Sequence, residues 1–352
     1  MASAIVAIFA TALILFPEFF GKLLGSSPTL LPQVMDYIVW LMPSFVFQMW
    51  SMIGLFIIRL DGSPKYAMWC NIIPASLNVL LDWIFIFPLG MGVKGAAIAT
   101  GISIIFGGIM AIYYLLFRYK TVGMTKLKWS RTSLKLSLRN FAYHCKIGSS
   151  TLLGELTLAV LIFVGNLIFM HYLGDAGVGA FGIACYYMPF FFMVGNAIAQ
   201  SAQPIISYNY GIERWKEIKE ARALLLKYSV VSGILVSALF FFFPKELVIL
   251  FVDSHSQAGE IAINGFPYLA SGILFFILNV AIIGYYQSIE EIKRATWFVL
   301  LRGFIVLIPS FILLPIFFGE IGMWLAMPVA ELITLGVVVV KRVVSCLWLC
   351  HN

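Results

Sequence analysis

Charge is scarce in this sequence: Asp, Glu, Lys and Arg make up 11% of the 352 residues and apolar types 62%. A soluble domain carries roughly 25% charged and 45–50% apolar residues, so lipid must be the main solvent of this chain. Cysteine motifs are missing as well. Cys70, Cys145, Cys185, Cys346 and Cys350 form no CxxC pair, and an odd count without a signal peptide provides no disulfide framework, so reduced core residues are expected. Spacing across the chain end makes Cys346, Cys350 and His351 weak as a metal cluster. There is no H-E-x-x-H and no Gly-x-Ser-Gly, and His144, His171, His255 and His351 stand near or outside helix ends. An intramembrane enzyme would need such a nucleophile or ligand set within the bilayer. Short alternating strands are absent, which excludes a β-barrel. The net charge of +7 does not indicate nucleic acid, because the basic residues form short clusters between apolar runs, as in cytoplasmic loops, and do not interleave with polar and aromatic residues on one face.

What remains is long apolar runs. A helix needs about 20 apolar residues to cross the hydrocarbon core. Cutting at charges and Gly/Pro clusters predicts an all-α polytopic membrane protein with ten spans, at 4–24, 34–58, 66–88, 94–117, 141–171, 178–205, 221–244, 261–287, 295–317 and 321–345. Alternating the loops places Lys22, Lys94 and Lys245 on one side and every other Lys and Arg, Arg302 included, on the other. The positive-inside rule then expects both termini in the cytoplasm and the chain in the cell's inner (plasma) membrane. The basic stretch from Arg118 to Asn140 reads as an amphipathic cytoplasmic linker. It divides the chain into a four-helix part, 1–117, and a six-helix part, 141–345, with a short tail at 346–352.

The two parts are related. Gly92-Val-Lys-Gly95-Ala-Ala-Ile-Ala99 and Gly319-Glu-Ile-Gly322-Met-Trp-Leu-Ala326 share the pattern G-x-x-G-x-x-x-A at an offset of 227, and the stretches Arg59–Lys65 and Gln287–Lys293 align at 228. Small residues at such turns allow the close helix approach that packing in lipid needs. Projected back by 228, the third helix of the second part, from Ala221, falls on the opening segment, and its first two helices fall on negative numbers. A parallel repeat of six and six helices with two absent is therefore expected; a ten-helix protein with unequal halves is the alternative.

Ionisable side chains inside spans are costly and mark candidate sites. In Asn78-Val-Leu-Leu-Asp82 the i,i+4 spacing puts Asn78 and Asp82 on one helix face. Thr100 lies about 9 Å deep on the next helix, like Asp82, at 1.5 Å per residue. Carboxylate, amide and hydroxyl oxygens at one depth suit a proton or a hard alkali cation such as Na⁺, and no other metal; a buried acid satisfied for packing alone is the competing reading. Glu155 has no basic residue at helical spacing and is expected to face an aqueous cavity. Gln48, Asn166, Asn196, Gln200 and Asn279 either line a cavity or join neighbouring helices, and Met188 belongs with the aromatics that could wall a site for flat cations.

Arg59-Leu-Asp-Gly62-Ser-Pro-Lys65, Asn78 to Asp82, Gly92 to Thr100, Gln203-Pro204-Ile-Ile-Ser-Tyr208-Asn-Tyr210-Gly211 and Gly319 to Ala326 together resemble the multidrug and toxic compound extrusion (MATE) family, over nearly the whole chain, as helices three to twelve of twelve. The resemblance implies a two-lobe bundle, acting as a monomer without cofactor, that exports small organic cations or drugs in exchange for H⁺ or Na⁺. It implies coupling at Asn78, Asp82 and Thr100, with Glu155 as the seventh-helix acid and Asn279 in place of a tenth-helix Asp. The first-helix Asp of that coupling site has no counterpart here. Two alternatives are a lipid-linked glycan flippase of the wider superfamily, which should need mid-membrane Lys and Arg that this sequence nearly lacks, and an inactive fragment of a transporter.

Overall fold

The computed structural model describes residues 2–23, 31–119 and 131–349 and, among these, contains helices and turns but no strand. The middle of the basic linker, 120–130, and Cys350 and His351 lie outside the described residues. The chain divides into two compact units, Met1–Ser137 and Leu138–Asn352.

The first unit contains α1 (Ala2–Leu15), α2 (Pro17–Leu23), α3 (Leu31–Leu41), α4 (Phe45–Leu60), α5 (Pro64–Ile86) and α6 (Gly92–Tyr113). A short 3₁₀ turn, Met42–Ser44, joins α3 to α4 where Pro43 removes a backbone donor, so one expected span is a bent pair. Close approach rests on missing side chains. A β-carbon at Gly54 would lie 2.8 Å from that of Ala111, and one at Gly108 would lie 2.7 Å from the Phe47 carbonyl oxygen. With lipid as apolar as the side chains, such backbone-level packing supplies attraction that hydrophobic burial does not.

The second unit contains α7 (Arg131–Gly211) from Leu138 onward, α8 (Trp215–Phe242), α9 (Pro244–Ile249), α10 (Gln257–Ser288), α11 (Ile292–Leu300) and α12 (Leu307–Leu349). Helix α7 begins at Arg131, inside the stretch expected as linker, and is broken into two arms at Gly174, where φ is +63°. Gly319 breaks α12 in the same way at φ +57°. Only glycine takes these left-handed angles at little cost. Among the described residues seven helical stretches are long and apolar enough to cross a membrane; the breaks at Gly174 and Gly319 each divide one of them at the boundary between two expected spans, and the shorter apolar helix at Ser3–Leu15 falls on the first expected span. The core of this unit is aromatic. Phe169 stacks on Phe181 with centroids 4.6 Å apart, and Trp324 meets Phe169 edge-on at 4.9 Å. Trp324 fills the space left by Gly265. Of the cysteines, Cys70 is buried and Cys185 half-buried, but Cys145 is exposed and corrects the expectation that all are core residues.

The repeat is visible in the backbone. Gly62 (φ +73°) and Glu290 (φ +59°) are both left-handed, 228 positions apart, as are Gly92 (φ +53°) and Gly319 (φ +57°), 227 apart. Glu290 keeps this angle without being glycine, which costs roughly 1 kcal/mol or more. It also accepts a 2.8 Å hydrogen bond from the Tyr143 hydroxyl.

A β-carbon at Gly272 would lie 2.5 Å from the Pro328 α-carbon, whereas one at Gly336, on the same helix as Pro328, meets nothing within 4 Å. Gly272→Ala should therefore destabilise the protein by about 2 kcal/mol through overpacking, and Gly336→Ala should leave the unfolding midpoint in detergent unchanged. Equal midpoints for the two variants would refute this packing account.

Candidate functional site

In the first unit, α5 and α6 bring together the residues expected from their common depth. The Asn78 Nδ2 donates to Thr100 Oγ1 at 3.3 Å. Both residues and Asp82 are half-buried. The Asp82 Oδ1 atom is buried and accepts no hydrogen bond. A carboxylate oxygen removed from water without a donor is unstable as it stands, and a bound proton or small cation would satisfy it. At the opposite end of α5, Tyr114 donates to the buried Asp61 carboxylate at 2.7 Å, so that acid already has a partner.

The second unit holds a different arrangement. Its centre is Arg302, in a π-helical turn, Leu301–Ile305, between α11 and α12. Arg302 is 4% exposed and Glu331, on α12, 1%. The guanidinium donates from Nε at 3.0 Å and from Nη2 at 2.7 Å, both to Glu331 Oε1. Asn279 on α10 donates to the other carboxylate oxygen at 2.7 Å and to the Glu331 main-chain carbonyl at 2.9 Å. The Phe276 ring lies 4.3 Å beneath the guanidinium carbon, a cation–π contact. Each charge of this pair has a partner, the condition under which a buried ion pair is tolerated.

Arg302 also reaches the wall of a polar pit of about 50 Å³ bordered by Ser150, Thr151, Glu155, Asn196 and Gln287. Glu155 is exposed on this pit. Gln287 donates to the Ser150 hydroxyl at 3.2 Å. The first arm of α7 is close because Gly303 leaves room for Thr157, two residues beyond Glu155. A separate groove of about 870 Å³ runs between the second arm of α7 and α8; its wall is mainly apolar, and Glu217 and Glu220 border it.

Several expected cavity residues sit elsewhere. Asn279 is 1% exposed and lines neither space, because its amide is engaged by Glu331. Met188 is fully buried in the aromatic core and not in a cavity wall. Asn196 does border the Glu155 pit. Gln48, Asn166 and Gln200 are half-buried and border neither the pit nor the groove, and the Asn166 Oδ1 has no hydrogen-bond partner. Arg302 corrects the allotment of all but three basic residues to loops: it lies inside a membrane-length apolar segment. Arg302 and Glu331 are single charges in the apolar runs Val299-Leu-Leu-Arg302-Gly-Phe-Ile305 and Pro328-Val-Ala-Glu331-Leu-Ile-Thr334. The same costliness rule that singles out Asp82 and Glu155 applies to them, but their pairing across 29 residues is legible only in the fold.

Fold and site together define a polytopic helical membrane protein of repeated units, with a polar cluster buried in each. Residues 1–84 and 151–312 match the MatE family, and the chain belongs to that family of membrane transporters, not to an enzyme family. The multidrug export protein MepA of Staphylococcus aureus strain bovine RF122 / ET3-1 is 24% identical over 273 residues, covering 78% of this chain and 58% of MepA. The Staphylococcus saprophyticus MepA is 23% identical over 286 residues, covering 78% and 59%. The chain thus spans less than two thirds of the length of these relatives. Among solved structures, an outward-facing MATE family multidrug resistance transporter superposes with TM-score 0.82 at 19% identity, and the Vibrio cholerae MATE transporter VcmN with 0.81 at 20%; each comparison covers 94% of this chain and 74% of the other. The fold is therefore the MATE fold.

Removing one partner of a buried pair leaves an uncompensated charge, which costs about 3–5 kcal/mol, whereas replacing both with apolar residues is often neutral. Arg302→Met should lower the unfolding midpoint strongly, and Arg302→Met combined with Glu331→Met should recover most of the loss. A double variant no more stable than the single one would show that the pair is not what holds α12 to its neighbours.

Proposed function

We propose that the chain is a secondary active exporter of small organic cations, driven by counterflow of H⁺ or Na⁺. The observation that carries this reading is the buried, unpartnered Asp82 oxygen beside the Asn78–Thr100 hydrogen bond. Two neutral oxygen-bearing side chains and one carboxylate provide one negative charge for one proton or one Na⁺. Na⁺ is a hard cation that takes oxygen ligands, and a proton satisfies the same carboxylate. Exchange works if binding that ion changes the stability of the surrounding helices, so that ion and drug favour different conformations.

The cargo side of the proposal draws on the second unit. The groove between α7 and α8 falls within the roughly 300–1,000 Å³ of drug-sized sites, and its apolar wall with Glu217 and Glu220 suits an amphipathic cation. Glu155, exposed on its pit, adds a carboxylate that attracts positive charge. The relatives named as multidrug export proteins agree with this cargo class. A lipid-linked glycan flippase would need cationic side chains free to meet pyrophosphate, and the buried Arg302 is instead neutralised by Glu331. We also place the chain in the plasma membrane, as a monomer, with both termini in the cytoplasm.

In vesicles reconstituted with a version extended to the twelve helices that the repeat expects, an imposed ion gradient should drive export of a fluorescent organic cation, and Asp82→Asn should reduce it to the protein-free background without reducing reconstitution. Undiminished export by Asp82→Asn would remove the coupling role. Glu155→Gln should weaken export of cations more than of neutral compounds. In whole cells, a single cysteine at Ser254 should react with an impermeant maleimide from outside; protection there would reverse the orientation.

A further inference from the structure

The pit beside α7 contains an unspent opportunity for an ion pair. Its wall carries two charged side chains, Glu155 and Arg302. No ion pair joins them, because the described guanidinium contacts go to Glu331 and the Phe276 ring. A free guanidinium beside a carboxylate would close a short, bidentate pair. That pair would cancel the Glu155 charge.

What prevents it is the engagement of Arg302 by Glu331. One of its oxygens takes two donors from Arg302, and the other takes Asn279. The Asn279 amide fixes the carboxylate from α10, and Arg302 reaches it from the π-helical turn between α11 and α12. The other polar groups of the pit, Ser150, Thr151, Asn196 and Gln287, are neutral, and Val299 on α11 adds no charge. Glu155, Arg302 and Glu331 sum to one negative charge when all are ionised. The geometry places that charge at Glu155.

We propose that Glu331 and Asn279 act as positioning residues that withhold Arg302 from Glu155, so that the Glu155 carboxylate stays open to a monovalent cationic group or a proton. Arg302 is thereby a latent competitor for the site. This rests on the reading of Glu155 as a cation-attracting residue, and it is testable without any transport, so that either can fail alone.

The test is labelling of Glu155 by dicyclohexylcarbodiimide in the purified full chain, read by mass spectrometry, with Glu155→Gln as the blank. The reagent attacks protonated carboxyl groups, and a carboxylate locked to a guanidinium is protected. The unaltered chain should be labelled at Glu155. Glu331→Gln frees Arg302 to pair with Glu155, and labelling should fall about tenfold, the effect of one charge-assisted hydrogen bond. Adding Arg302→Gln to Glu331→Gln removes the competitor and should restore labelling to near its original level, a rescue that a merely structural lesion would not show. Asn279→Ala, a milder change that keeps the ion pair, should give a smaller fall and carries the test if Glu331→Gln does not fold. Unreactive Glu155 in the unaltered chain, undiminished labelling in Glu331→Gln or in Asn279→Ala, or failure of the second substitution to restore it would overturn the proposal.

Discussion

In a bilayer, moving an apolar side chain from lipid to a helix interface gains little, because both surroundings are apolar. Helices of this chain must therefore be held by contacts that lipid cannot imitate. Backbone approaching backbone is one kind, and it explains why glycine stands where Ala111, Phe47, Pro328 and Trp324 come closest. The few polar pairs buried between helices are the other kind, worth making because an unsatisfied group has no water to turn to. Fold and site are consequently the same problem in this protein: each polar cluster that joins helices is also a candidate for chemistry.

The repeated scaffold makes the difference between its two units informative. Left-handed residues recur at Gly62 and Glu290 and at Gly92 and Gly319, so the turns are equivalent. The chemistry does not recur. At an offset of 228, Ser310 stands where Asp82 does in the first unit, and its hydroxyl is spent on the Val306 carbonyl. In the reverse direction Pro74, at the offset of 228, and Ile104, at the offset of 227 that holds beyond the Gly92 turn, stand where the second unit has Arg302 and Glu331. One backbone plan carries an acid with an unsatisfied oxygen in one unit and an acid with both oxygens hydrogen-bonded in the other.

That contrast separates structural acids from available ones. Asp61 and Glu331 are each buried and each engaged, by Tyr114 in one case and by Arg302 and Asn279 in the other. Asp82 keeps a buried oxygen without a donor, and Glu155 is exposed on its pit with no ion pair. Burial alone does not mark a site in a membrane protein. Burial or exposure combined with an empty hydrogen-bonding position does, since only such a group changes its energy when an ion arrives.

The apolar runs, the repeat offset and the isolated acids follow from order along the chain, because span length, turn glycines and charge inside lipid are local properties. The all-α membrane fold is legible in this way, as is the meeting of Asn78 with Thr100, which needs only two neighbouring helices and a depth count. Asn279 and Met188 mark the limit of the same local reasoning, since a polar or flexible side chain on an apolar helix looks alike whether it faces a cavity or a core. Which way each points is decided by the helices packed against it: Glu331 claims Asn279, and the aromatic cluster encloses Met188. Arg302 is the clearest case. Its charge is visible in the sequence, but whether it belongs to a loop, to Glu155 or to Glu331 depends on a helix 29 residues away, and only the tertiary structure brings that partner within hydrogen-bonding distance.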